Sequence, residues 1–105
     1  LQIKYFNVKV KMSRYYRLFV ITRGITEKQL ERVCAGQFGW VGETSSWKGE
    51  VTFDGEGYLC GGMSEQKAHE QIYDALKKIN PNARIKTNWT YMEDLPHEEY
   101  GDDID

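Results

Sequence analysis

The sequence predicts an α+β fold on three observations. Two helical stretches each open on a capping residue, β-branched and aromatic runs of period two stand at both ends of the chain, and the stretch between the helices has no helical pattern. With 105 residues, 40% of them hydrophobic and 13% aromatic, the chain is long and apolar enough to bury a core as one domain.

Tyr5 to Met12 alternates Phe6, Val8, Val10 and Met12 against Asn7, Lys9 and Lys11, the pattern of a half-buried strand, and Tyr15 to Arg23 continues in the same vein. The two runs fit either a hairpin turning at Ser13-Arg14 or one long bent strand. Thr26 reads as the N-cap of a first helix, with Gln29 in the capping-box position and Ile25 placed to staple against Leu30. That helix turns Leu30, Val33 and Cys34 to one side and is expected to end by Gly36.

Gly42 to Ser46 reads as a loop, and Asp54-Gly55 as the tight turn of a hairpin between Glu50–Phe53 and Gly57–Cys60. Ser64 then caps a second helix from about Glu65 to Ile79, whose Ala68, Ile72, Ala75, Leu76 and Ile79 form an apolar stripe. Asn80-Pro81 stops it. From Ala83 to Met92, Ile85, Thr87, Trp89 and Tyr91 alternate with Arg84, Lys86, Asn88 and Thr90 as a last strand. The order βαββαβ, with the first strand intact or split into a hairpin, predicts a ferredoxin-like sandwich: two helices on one face of an antiparallel sheet. Such a fold hosts many activities, so function has to come from the sites.

Charge is segregated along the chain. Residues 1–92 form the expected domain and carry all fourteen basic residues against nine acidic ones. Residues 93–105 form an acidic C-terminal tail, expected to stay solvated, with Glu93, Asp94, Glu98, Glu99, Asp102, Asp103 and Asp105 and no lysine or arginine. A +5 body thus joins a −7 tail.

Catalytic residues are not apparent. His69 falls beside Glu70 at a polar helical position where a solvated face is expected, and His97 lies in the acidic tail. Cys34 and Cys60 lack the spacing of a disulfide framework or a zinc site and read as reduced thiols. No metal or cofactor is expected, because the acidic spacing matches no calcium loop. The chain contains no apolar run of membrane-spanning length and no apolar secretion core at its start, which points to a cytoplasmic protein without a membrane partner. Oligomeric state is open, since an exposed edge strand either pairs two copies or is blocked by its lysines.

Two binding roles remain. In the first, the chain is a small non-enzymatic interaction or inhibitor module, in the style of phage and mobile-element proteins that block restriction or CRISPR nucleases. Glu93, Asp94, Glu98, Glu99, Tyr100, Asp102, Asp103 and Asp105 then engage the basic, nucleic-acid-binding surface of a partner protein. In the second, Lys9, Lys11, Arg14, Arg17, Arg84 and Lys86, interleaved with aromatic residues, bind nucleic acid while the acidic tail covers them in its absence.

Overall fold

The computed structural model describes residues 13–92 and 94–102, with the backbone alone for residues 13 and 94–99. Lys9, Lys11, Glu93, Asp103 and Asp105 lie outside the described residues. Among the described residues five strands form one antiparallel sheet: β1 (Ser13–Arg23), β2 (Val41–Trp47), β3 (Glu50–Cys60), β4 (Arg84–Tyr91) and β5 (Asp94–Gly101), in the order β2-β3-β1-β4-β5. Helix α1 (Glu27–Glu31), which continues into a π-helical segment (Arg32–Gln37), joins β1 to β2, and α2 (Glu65–Ile79) joins β3 to β4. The α+β class read from the sequence is therefore the class of the structure. No helix among the described residues is long and apolar enough to cross a membrane.

Strand alternation explains why one sheet face is covered. Tyr16, Leu18, Val20 and Thr22 on β1, Val51 and Phe53 on β3, and Ile85, Thr87 and Trp89 on β4 are buried. The helices contribute Leu30, Val33, Cys34, Ala68, Ile72 and Leu76 to the same core. Both caps act as the sequence predicts. The Thr26 side chain accepts from Gln29 N–H while Gln29 reaches back to Thr26 N–H at 2.9 Å, and Ser64 accepts from Lys67 N–H at 3.1 Å. Ile25 and Leu30 are both buried across the first cap.

The middle of the chain departs from expectation. Asp54 and Gly55 form no turn; they stand mid-strand in β3, opposite Phe19 and Leu18 of β1 and Glu43 and Gly42 of β2. The hairpin turns instead at Lys48-Gly49, whose φ angles of 51° and 81° match the two-residue turn that suits strand twist. Gly42 to Ser46, expected as a loop, is the body of β2. Gly55 is small for packing reasons, because a Cβ there would stand 2.5 Å from the Phe53 ring and 2.8 Å from the Val41 carbonyl oxygen.

At the other boundaries, Ser13 and Arg14 pair with Cys60 and Leu59, which removes the hairpin turn considered at that dipeptide. The first helix runs past Gly36 because its last turns widen, with Phe38 N–H donating to the Val33 carbonyl at 3.1 Å. In α2, Ile79 ends 41% exposed, whereas His69 is buried. The acidic stretch, expected to stay solvated, contributes β5 over residues 94–101. An edge position reconciles this with its composition. Charges and proline, here Pro96, are tolerated where one side of the strand faces solvent, and the register slips between Trp89 and Tyr91.

Candidate functional site

The acidic edge is built from the backbone outward. β5 pairs with β4 through Lys86↔Gly101, Thr87↔Tyr100, Asn88↔Glu99, Trp89↔Glu98 and Tyr91↔Asp94, so Asp94, Glu98 and Glu99 follow one another along the outer strand of the sheet. Asp102 fastens its end. Its N–H donates to the Ile85 carbonyl at 2.8 Å, and its carboxylate accepts from Ile85 N–H at 3.1 Å and from the Tyr73 hydroxyl at 3.1 Å. Lys77 Nζ stands 3.9 Å from the same carboxylate. Tyr100 is half-buried against the core, its ring centroid 5.7 Å from that of His69. Two of the eight acidic-segment residues therefore anchor the strand rather than face a partner.

Beneath β5 lies a polar cluster that the sequence reading missed. His69 Nδ1 is 2.8 Å from Thr87 Oγ1, which accepts from Trp89 Nε1–H at 2.7 Å. Thr87 Oγ1 in turn donates to the Tyr100 carbonyl oxygen at 3.5 Å, so the cluster links α2 through His69 to both β4 and β5. Burial holds the His69 pKa below its ordinary 6.5, against the opposing pull of Glu70, Asp102 and Asp74. The unfolded chain thus takes up a proton below pH 6.5 that the folded chain refuses. Stability contributed by neutral His69 is complete above that pH and is lost as pH falls toward the folded value. Urea titrations from pH 8 to 5 are expected to show this loss in the wild type, and a smaller one in His69→Gln. Parallel profiles for the two proteins would refute it.

The four described residues of the alternative basic set, Arg14, Arg17, Arg84 and Lys86, do not converge. Arg14 lies on the covered side, where its guanidinium donates to the Tyr16 hydroxyl at 3.1 Å and to the Met63 carbonyl. Arg17, Arg84 and Lys86 share the open face, on β1 and β4. Arg17 is held by Asp54 through two hydrogen bonds of 3.0 and 2.7 Å, which keep the Asp54 pKa low despite partial burial. Arg23 pairs with Glu50 at 3.2 Å, and Glu56 accepts from the Tyr15 hydroxyl. On that face the cations Arg17, Arg23, Arg84 and Lys86 are matched by Glu43, Glu50, Asp54 and Glu56. Among the described residues this face has a shallow depression of about 560 Å³ between Phe19, Glu43, Ser45, Thr52 and Asp54, and another of about 330 Å³ lined by Arg17, Phe19, Asp54, Asn88 and Thr90.

None of the residues lining the smaller depression is a nucleophile with a base beside it. Burial pushes the Cys34 thiol up to about 12, so at neutral pH it is not a thiolate. Among the described residues no group of three His, Cys, Asp or Glu side chains is placed to hold a metal ion. The two tryptophans of the middle segment separate: Trp40 is buried, while Trp47 is 72% exposed on β2, where Val41 is 77% exposed. Comparison of the chain with protein-family models, curated proteins and solved structures gives no match.

Proposed function

We propose that this protein is a small, non-enzymatic interaction module of inhibitor type. It presents its acidic C-terminal strand to the basic, nucleic-acid-binding surface of a partner protein, in the manner of phage and mobile-element inhibitors of restriction or CRISPR nucleases. One observation carries the reading: the carboxylates Asp94, Glu98 and Glu99 belong to an edge strand, fastened at its end by Asp102 and Tyr100. Carboxylates carried on a backbone paired to β4 meet a basic groove with less ordering cost than a flexible run of the same charge. We read β1 to β4 with their helices as a ferredoxin-like core to which β5 is added as the outermost strand.

The test is a competition assay in which the full chain displaces labelled DNA from guide-loaded CRISPR nucleases and from restriction endonucleases. Glu98→Gln/Glu99→Gln, which spares the Asp102 anchor, is expected to weaken displacement at least tenfold, roughly what two close interfacial charges contribute. Raising the salt concentration is expected to weaken the wild type too. Equal displacement by the wild type and the neutralised variant would sink the proposal.

The placement of Arg17, Arg84 and Lys86 on one open face beside Phe19 keeps a second reading, a nucleic-acid-binding domain restrained by its own acidic segment. The four matching carboxylates weigh against it, since phosphate binding needs net positive charge. If it holds, Arg84→Gln/Lys86→Gln lowers oligonucleotide affinity and flattens its salt dependence in fluorescence anisotropy. An unchanged slope excludes those contacts.

A further inference from the structure

The two edges of the sheet are protected very differently. β5 carries proline, a register slip and charge, whereas β2 reads Val-Gly-Glu-Thr-Ser-Ser-Trp, with no lysine, proline or bulge along its pairing with β3. It ends the sheet on its side, and its two large apolar side chains, Val41 and Trp47, are 77% and 72% exposed. Apart from the single charge of Glu43, β2 has none of these devices, and such an edge strand is a template for another strand.

The geometry points to a second copy of this chain as the occupant, paired antiparallel β2 to β2 about a twofold axis through Thr44. Continuous sheet pairing requires facing residues to lie on the same side, so the axis must pass through a residue. Thr44 is the centre of the seven residues Val41–Trp47, and this register alone pairs all seven. It sets Val41 opposite Trp47 of the second copy, twice, covering both exposed apolar side chains. It also sets Glu43 opposite Ser45. An axis through Glu43 would face two carboxylates and strand Trp47, while an axis through Ser45 would strand Val41. Cover for the apolar side chains and the avoidance of facing carboxylates thus select one register.

The consequence is a ten-stranded sheet with helices on one side and an acidic β5 at each outer edge. The inference uses only the β2 edge and stands independently of the role given to β5.

Ser45 supplies the test, being exposed and facing Thr52 within its own chain. Ser45→Lys places a lysine opposite Glu43 of the second copy, and Ser45→Glu places a carboxylate there, each twice per dimer. Sedimentation equilibrium of the full-length chain is expected to show a concentration-dependent dimer whose dissociation constant falls in Ser45→Lys. In Ser45→Glu it rises, each shift being roughly 2- to 30-fold for two cross-strand pairs. Pairing about Ser45 would weaken the dimer in both variants, and pairing through any other surface would leave it unchanged. Either result overturns the inference, as does a wild-type chain that is monomeric at every concentration. Thermal melts that match the wild type establish that both variants are folded.

Discussion

Replacing Trp89 by alanine is expected to cost roughly 3–5 kcal/mol of stability, the range for removing a large aromatic side chain from a packed core. Trp89 is 1% exposed on β4, opposite Leu18 of β1. Its ring meets Trp40 edge-on at 5.4 Å and Tyr16 at 6.2 Å, so its loss opens a cavity between rings too rigid to close it. Truncation also withdraws the Nε1–H that Thr87 accepts, disturbing the bond to His69 on which Tyr100 rests. The acidic strand is therefore expected to loosen before the rest of the sheet. Urea unfolding gives the total, and amide exchange at residues 98–101 reads the local part. Trp47→Ala is the matched control: it removes the same side chain from an exposed site and is expected to change monomer stability by less than about 0.5 kcal/mol. Equal costs for the two substitutions would mean that the core is not built around Trp89.

What the sequence disclosed depended on whether a residue's role is local. Thr26, Gln29 and Ser64 cap helices through bonds to neighbours three residues away, so the helix starts were legible. The buried alternation of Ile85, Thr87 and Trp89 was legible for the same reason. Asp54-Gly55 misled because its glycine serves a contact across strands. The true turn puts Lys48, an unpromising residue, at positive φ. His69 looked solvated beside Glu70, although it stands between Ala68 and Ile72 on the face that α2 buries. Its partner, Thr87, is eighteen residues away, and no local pattern announces that bond. β5 was hidden by composition. Seven carboxylates and a proline describe a solvated segment unless a neighbouring strand offers it an edge. Of the candidate site, the concentration of charge was visible and its attachment to the sheet was not.

The same substitution at two glycines is expected to act with opposite sign. Gly42 and Gly36 both have φ outside the left-handed region, so alanine meets no backbone penalty at either. A Cβ on Gly42, however, would lie 2.2 Å from the Asp54 carbonyl oxygen and 2.5 Å from Gly55 Cα, both backbone atoms of the paired strand. Neither retreats without pulling β3 away from β1, where Asp54 and Gly55 face Phe19 and Leu18. Gly42→Ala is expected to cost about 1–3 kcal/mol, as overpacking does, and to displace β2 from the sheet. On Gly36 a Cβ meets nothing nearer than Arg32 Cγ at 3.9 Å, so Gly36→Ala is expected to stabilise by about 0.4–1 kcal/mol through the unfolded chain. Urea midpoints of the two variants check both signs at once. Because the inferred dimer is made by β2, Gly42→Ala is also expected to raise the dimer dissociation constant, whereas Gly36→Ala leaves it unchanged. Destabilisation of equal size at both positions would show that β2 and β3 do not approach as closely as their glycines require.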